Sequence, residues 1–211
     1  MGTVRHPSDL THVFEGPVNI TGTFPAYPRS SAIQESLAVY PVDLTSFRIW
    51  DAFHTNLPGT SATDDLGLVG GTFGTGVPSL ETYDVGALGA LSIRGRVMIM
   101  LPIEYVAGET VQIRVSAGMV TTVADTTATV DIEAYESAKD GLKTGSDLCT
   151  TAATDINSLT FANVDFTITA ATLSAGDWLD VRLTVAVNDG ATGPEVKGRV
   201  GSVELLCDVK G

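Results

Sequence analysis

Histidine, cysteine, basic residues and aromatic rings are all scarce in this 211-residue chain. Each shortage removes a class of function. The three histidines are His6, His12 and His54. Histidine is the usual acid–base group near neutral pH, and these three are spread over two unrelated stretches rather than gathered in a motif. No G-x-S-x-G elbow is present to raise a serine nucleophile. Cys149 and Cys207 are the only cysteines. A disulfide-dense scaffold would carry more, and neither cysteine has a second metal ligand nearby, so both read as buried thiols. Lysine and arginine number 12 against 25 acids, a formal net charge of −13. Phosphate neutralisation needs the opposite balance, so no nucleic-acid partner is expected. The start lacks a basic region followed by an apolar one, so a cytoplasm-like compartment is expected. No apolar run approaches the roughly 20 residues of a membrane span, and Val97–Leu101 is only strand-sized. No segment keeps a helical period over three turns.

Alternation fills the space that these absences leave. Ala175–Val187 reads AGDWLDVRLTVAV, with Leu179, Val181, Leu183, Val185 and Val187 on one face and Asp180, Arg182 and Thr184 on the other. Ala107–Ala117, AGETVQIRVSA, repeats the pattern: Ala-Gly-acid, then apolar–Arg–apolar. Side chains alternate across a strand with period two, so both are half-buried strands entered through a Gly turn. Their likeness suggests corresponding positions in two facing sheets. Ala90–Leu101 and Thr127–Tyr135 alternate as cleanly. Val196–Val209 closes the chain, and Leu159–Thr169 is read as a strand or two broken near Asn163. Residues 44–50 are assigned a first strand containing Leu44, Phe47, Ile49 and Trp50. Glu136–Cys149 is a long loop with at most one helical turn, and GGTFGTGVPS (70–79) is turns rather than a phosphate cradle. Roughly eight strands at this spacing predict an all-β chain: a single antiparallel β-sandwich of jelly-roll type.

Residues 1–45 are set apart by five of the nine prolines. Apolar residues come singly or in pairs there: Leu10, Val13, Phe14, Val18, Ile20, Phe24 and Tyr27. This reads as an extended N-terminal arm with apolar anchors, ahead of a sandwich at 46–211; the bland reading is a disordered tail. Ser31–Gln34 is a weak cap signal for a short helix through Leu37. On Ala90–Leu101, the face opposite Ile93 and Val97 carries Arg94, Arg96, Met98 and Met100, a possible contact face because methionine adapts to partners. Coverage within the fold is an equally good reading of that face.

Carboxylates are plentiful. Asp131 with Glu133, or Asp177 with Asp180, are the pairs a glycoside hydrolase would use, against a heavier reading as solvated surface. Asp64–Asp65 and Asn188–Asp189 offer oxygens of the kind Ca²⁺ takes, without EF-hand spacing. No catalytic residue, metal or cofactor is assigned.

Three runs carry a resemblance: FRIWDAFHTNLPGTSATDDLGLVGGTFGTGVPSLET (47–82), LPIEYVAGETVQIRVSAGMVTTVADTTATVDIEAYES (101–137) and VELLCDVKG (203–211). They resemble virion structural proteins of tailed bacteriophages, small jelly rolls that sit on the capsid as cement or decoration. The resemblance spans about residues 44–211. It implies no catalytic activity, a trimer, and a place on the capsid exterior. The partners would be the major capsid protein and neighbouring copies, with no membrane involved; residues 1–45 lie outside the resemblance, and their apolar anchors and reach carry the separate expectation that the arm clamps neighbouring subunits. The competing expectations are a receptor- or carbohydrate-binding module, a glycoside hydrolase and a jelly-roll major capsid subunit. The fold hosts all of them.

Overall fold

The computed structural model describes residues 35–84, 89–190 and 195–210. Eleven strands are found among them: β1 (Glu35–Val42), β2 (Gly67–Val69), β3 (Ser79–Glu81), β4 (Gly89–Met100), β5 (Val111–Met119), β6 (Thr127–Ser137), β7 (Lys143–Thr144), β8 (Thr154–Asp155), β9 (Ala162–Thr167), β10 (Trp178–Asp189) and β11 (Gly198–Lys210). One sheet runs β1–β11–β5–β9, with β3 and β2 continuing from the start of β11. The other runs β4–β10–β6, with β8 and β7 both on the far side of β6. Every strand pairing is antiparallel. With β2, β3 and β7 set aside, the chain wraps from sheet to sheet as β1–β11–β5–β9 facing β4–β10–β6–β8. That order is the double Greek key of a jelly roll.

The two Ala-Gly-acid stretches behave as their pattern requires. They become β5 and β10, one in each sheet. Gly108 (φ +83°) and Gly176 (φ +78°) occupy the left-handed region just before these strands, where a Cβ would be strained. The inward rows are fully buried: Val111, Ile113 and Val115 in one sheet, Leu179, Val181, Leu183 and Val185 in the other. Aliphatic side chains of this kind contribute about 1.5–3 kcal/mol each when withdrawn from water. Small residues set how closely the sheets approach. A Cβ on Gly198 would lie 2.8 Å from Val185 Cγ1, and one on Gly95 would lie 3.3 Å from both Leu66 and Phe47.

Several expectations are corrected. Glu35–Leu37 is extended, not helical, and β1 pairs residue for residue with β11 from Glu35↔Lys210 to Val42↔Val203. A long ladder outweighs a weak cap signal. Among the described residues, the sheet already includes Glu35–Val42, ahead of residue 46. No strand forms at 44–50. Asp43 Oδ1 accepts the Thr45 N–H (2.8 Å) and the Ser46 hydroxyl donates to the Asp43 carbonyl (2.6 Å), which coils Leu44–Ser46 into a 3-10 turn. Aspartate followed by Thr and Ser favours such local bonds over a ladder. β9 is continuous through Asn163, which pairs with Ser116. The 136–149 loop contains β7 instead of a helical turn, folded back through Lys139 (φ +62°) and Gly141 (φ +90°).

Candidate functional site

Two surfaces stand out, and both involve β4. The first is the outer face of β4–β10–β6. Its rows are set by register: Met98, Asp180 and Tyr135; then Arg96, Arg182 and Glu133; then Arg94, Thr184 and Asp131. Three arginines on one face would repel, yet each is occupied. Arg96 makes a two-pronged bond to Asp180 (2.6 and 2.5 Å). Arg182 pairs with Glu133, directly opposite on β6. Arg94 lies 3.9 Å from Asp64. The loop after β1 folds over them. Trp50 lies 5.2 and 5.5 Å from the Arg94 and Arg182 guanidinium carbons and donates its indole N–H to Asp64 (2.9 Å). Phe53 covers Arg96 at 5.1 Å, and the Lys143 ammonium sits 3.9 Å from the Tyr135 ring centre. Cation–π contacts of this kind stabilise each by about 0.5–2 kcal/mol.

Charge responds to this crowding. Asp180 holds the Arg96 guanidinium above its ordinary value. Burial lowers Arg182, and neighbouring Arg94 adds to the effect. Burial raises the Asp131 carboxyl, with Asp147 pushing the same way. Two shallow hollows remain on this face. One of about 260 Å³ is bordered by Trp50, Glu133, Tyr135 and Arg182. One of about 320 Å³ lies over Met98, Leu142 and Lys143.

Asp131 and Glu133 do share this face, as alternation predicts, but Glu133 is committed to Arg182. Asp177 does not join Asp180. It accepts the Ser174 N–H (2.8 Å) in the turn before β10 and pairs with Lys139, while Asp180 pairs with Arg96. Asp64 is engaged by Trp50 and Arg94. Among the described residues no group of three or more His, Cys, Asp or Glu is placed to hold a metal ion. Cys149 and Cys207 are separate free thiols; Cys207 is buried and pushed up to about 11 by burial and by Asp208. His54 is exposed.

The second surface is the open side of the sandwich, where β1 and β4 are both edge strands. Part of the β4 edge is sealed by the 47–66 stretch. Arg96 exchanges backbone bonds with Arg48 (2.8 and 3.0 Å), and Arg94 bonds to Asp64 and Leu66 (2.7 and 2.9 Å). Further along, no described strand pairs with Met98 or Met100 on that side. A groove of about 440 Å³ opens there between the sheets, lined by Tyr40, Val42, Met98, Met100, Pro102 and Trp178, with Asp43 at its rim. Met100 is 46% and Trp178 37% exposed. The expected contact face thus spans both surfaces: Arg94 and Arg96 belong to the charged face, Met100 lines the groove, and Met98 borders both. Sequence reasoning missed Trp178, Tyr40 and Val42 as groove residues because they lie on β10 and β1, far in sequence from the β4 methionines. It also passed over Phe73, fully exposed in the glycine-rich loop after β2. The arm anchors Leu10, Val13, Phe14, Val18, Ile20, Phe24 and Tyr27 lie outside the described residues.

No family model matches the chain, and no curated protein does. Solved structures with related shapes are β-sandwiches. The CBM22-1 xylan-binding domain of Paenibacillus barcinonensis Xyn10C shares 14% identity at a TM-score of 0.37, over 82% of this chain and 99% of that one. The xylan-binding module CBM15 shares 14% at 0.41, over 82% and 97%. A chain of the infectious bursal disease virus Gt strain shares 12% at 0.33, over 74% and 42%. Likeness at this level assigns no ligand. The strand order itself makes the chain a jelly-roll β-sandwich.

Proposed function

We propose that this chain is a non-enzymatic virion structural protein of the cement or decoration type. It binds the outside of a phage capsid, and its N-terminal arm clamps neighbouring subunits. Its partners are the major capsid protein and its own copies, in a homotrimer. The open side of the sandwich supports this reading most directly. It combines a stretch of strand edge at Met98–Met100 that no described strand pairs with and an apolar groove, on a chain whose charge of −13 otherwise keeps copies apart. Exposed Phe73, Val77 and Ile103 add apolar surface suited to protein contact. Co-sedimentation with capsids tests the reading. The full chain should pellet with particles, and a chain starting at Ile33 should stay in solution while keeping its β-sheet circular dichroism. Equal pelleting of the two would overturn the arm's role.

A carbohydrate-binding module is the second reading, and the charged face is its one supporting observation, since Trp50 and Tyr135 stand beside carboxylates and two hollows. Its weakness is that these groups already serve one another. Lys143 faces the Tyr135 ring, arginines face Trp50, and Asp180 and Glu133 are paired. Calorimetric titration with xylan, galactan and dextran oligosaccharides separates the readings. Saturable heat lost on Tyr135→Ala would favour the module; no heat with any of them is the outcome expected of a cement protein.

A further inference from the structure

One stretch of the β4 edge is left unsealed by the described residues, and the chain carries a segment with the chemistry to seal it. Backbone groups on a strand edge point outward at every second residue. On β4 the outward set includes Arg94 and Arg96, whose N–H and C=O groups are bonded to Asp64, Leu66 and Arg48. The same parity brings out Met98 and Met100, which no described strand meets. Beside them lies the apolar groove, whose one acidic lining residue is Asp43.

The matching segment is Pro17–Pro28, PVNITGTFPAYP, which has no charged residue. Val18, Ile20, Gly22 and Phe24 alternate with Asn19, Thr21 and Thr23, the period of a strand with one apolar face. An added strand gains affinity from main-chain bonds and specificity from alternate side chains set in a groove. On a chain of net charge −13, an uncharged segment in an almost uncharged groove avoids the repulsion that copies otherwise feel.

We propose that Val18–Phe24 of a neighbouring copy adds as a strand along Met98–Met100, with its apolar side chains in the groove. This deepens the proposed function by naming what occupies the open side, and it rests on that reading only for the arm's role as a clamp. Length permits it: the ten residues between Phe24 and Glu35 make eleven steps, which span roughly 36 Å at about 3.3 Å each.

Full-length chains carrying Val18→Cys, Ile20→Cys or Phe24→Cys are each mixed with a tagged full-length chain carrying Met100→Cys. A mild oxidant then takes two electrons and two protons from a thiol pair to join them as a disulfide. The wild-type mixture measures any background from Cys149. The expected product is a tagged–untagged covalent pair at twice the 22.0 kDa chain mass, absent from the wild-type control. No such pair at any of the three positions, in chains with wild-type circular dichroism, overturns the inference. So does a link that forms only within one chain carrying both cysteines. Linked pairs from a protein that ignores capsids would leave the inference standing and remove the decoration reading; capsid binding without linked pairs would do the reverse.

Discussion

Arg96 on β4 and Arg182 on β10 stand directly opposite each other, and neither meets the other. Arg96 turns diagonally to Asp180, and Arg182 turns across to Glu133. Like charges opposite on a sheet destabilise it, so each carboxylate cancels a repulsion as well as making a bond. Asp180→Ala should lower stability by about 1–2 kcal/mol, discounted because Arg96 is partly exposed. The Arg96→Met/Asp180→Leu double variant should lose less than Asp180→Ala alone, because it leaves no unpaired charge. Urea midpoints of the three chains check this. A double variant weaker than the single one would mean that the pair is worth more than its parts.

The sheets meet closely at Gly198, where an added Cβ would fall 2.8 Å from Val185 Cγ1. Gly198→Ala should cost about 1–3 kcal/mol by overpacking, and Val185→Ala in the same chain should recover part of it. Thermal unfolding of both chains reads the outcome. Equal losses from the two substitutions together and apart would deny the contact.

Cys207 carries a pH signature. Its thiol is raised from 9.0 to about 11 in the folded chain. The folded state then holds a proton that the unfolded state has released, so stability falls as pH rises between those values. In Cys207→Ser this part of the decline should disappear. Thiol reagents at neutral pH should leave Cys207 unlabelled until the chain is unfolded. Rapid labelling of the native protein at Cys207 would contradict its burial.

Phe73 is fully exposed on a loop that holds its own shape. Thr75 and Gly76 donate to the Thr72 carbonyl (2.9 and 2.8 Å), and Gly71 (φ +66°) and Gly74 (φ +85°) take conformations that other residues resist. A preset apolar tip loses little entropy on binding. Phe73→Ser should leave stability within about 0.5 kcal/mol of wild type and, under the proposed function, weaken capsid binding. Unchanged capsid binding would take Phe73 out of the contact.

The sequence made the long strands legible because one face of each is buried and the alternation survives, as in β5, β6 and β10. It also exposed the two glycine turns. Strand order was hidden, because pairing β1 with β11 joins the two ends of the described chain and no local pattern records it. The misread first strand has the same origin. Leu44, Phe47 and Ile49 are apolar enough for a strand, but Asp43 and Ser46 coil the backbone locally, and Phe47 reaches the core as part of a crossing loop. The groove was half visible. Met98 and Met100 could be picked out on β4, whereas Trp178, Tyr40 and Val42 come from strands far apart in sequence and belong together only in the fold.

Sedimentation equilibrium of the full chain beside Met100→Glu tests the account most directly, since it asks whether copies associate through the open side. The account predicts a wild-type mass that is a multiple of 22.0 kDa, three chains in the trimeric form, and a folded Met100→Glu chain at 22.0 kDa. A wild-type chain sedimenting at 22.0 kDa, or a Met100→Glu chain that associates as well as wild type, would contradict it.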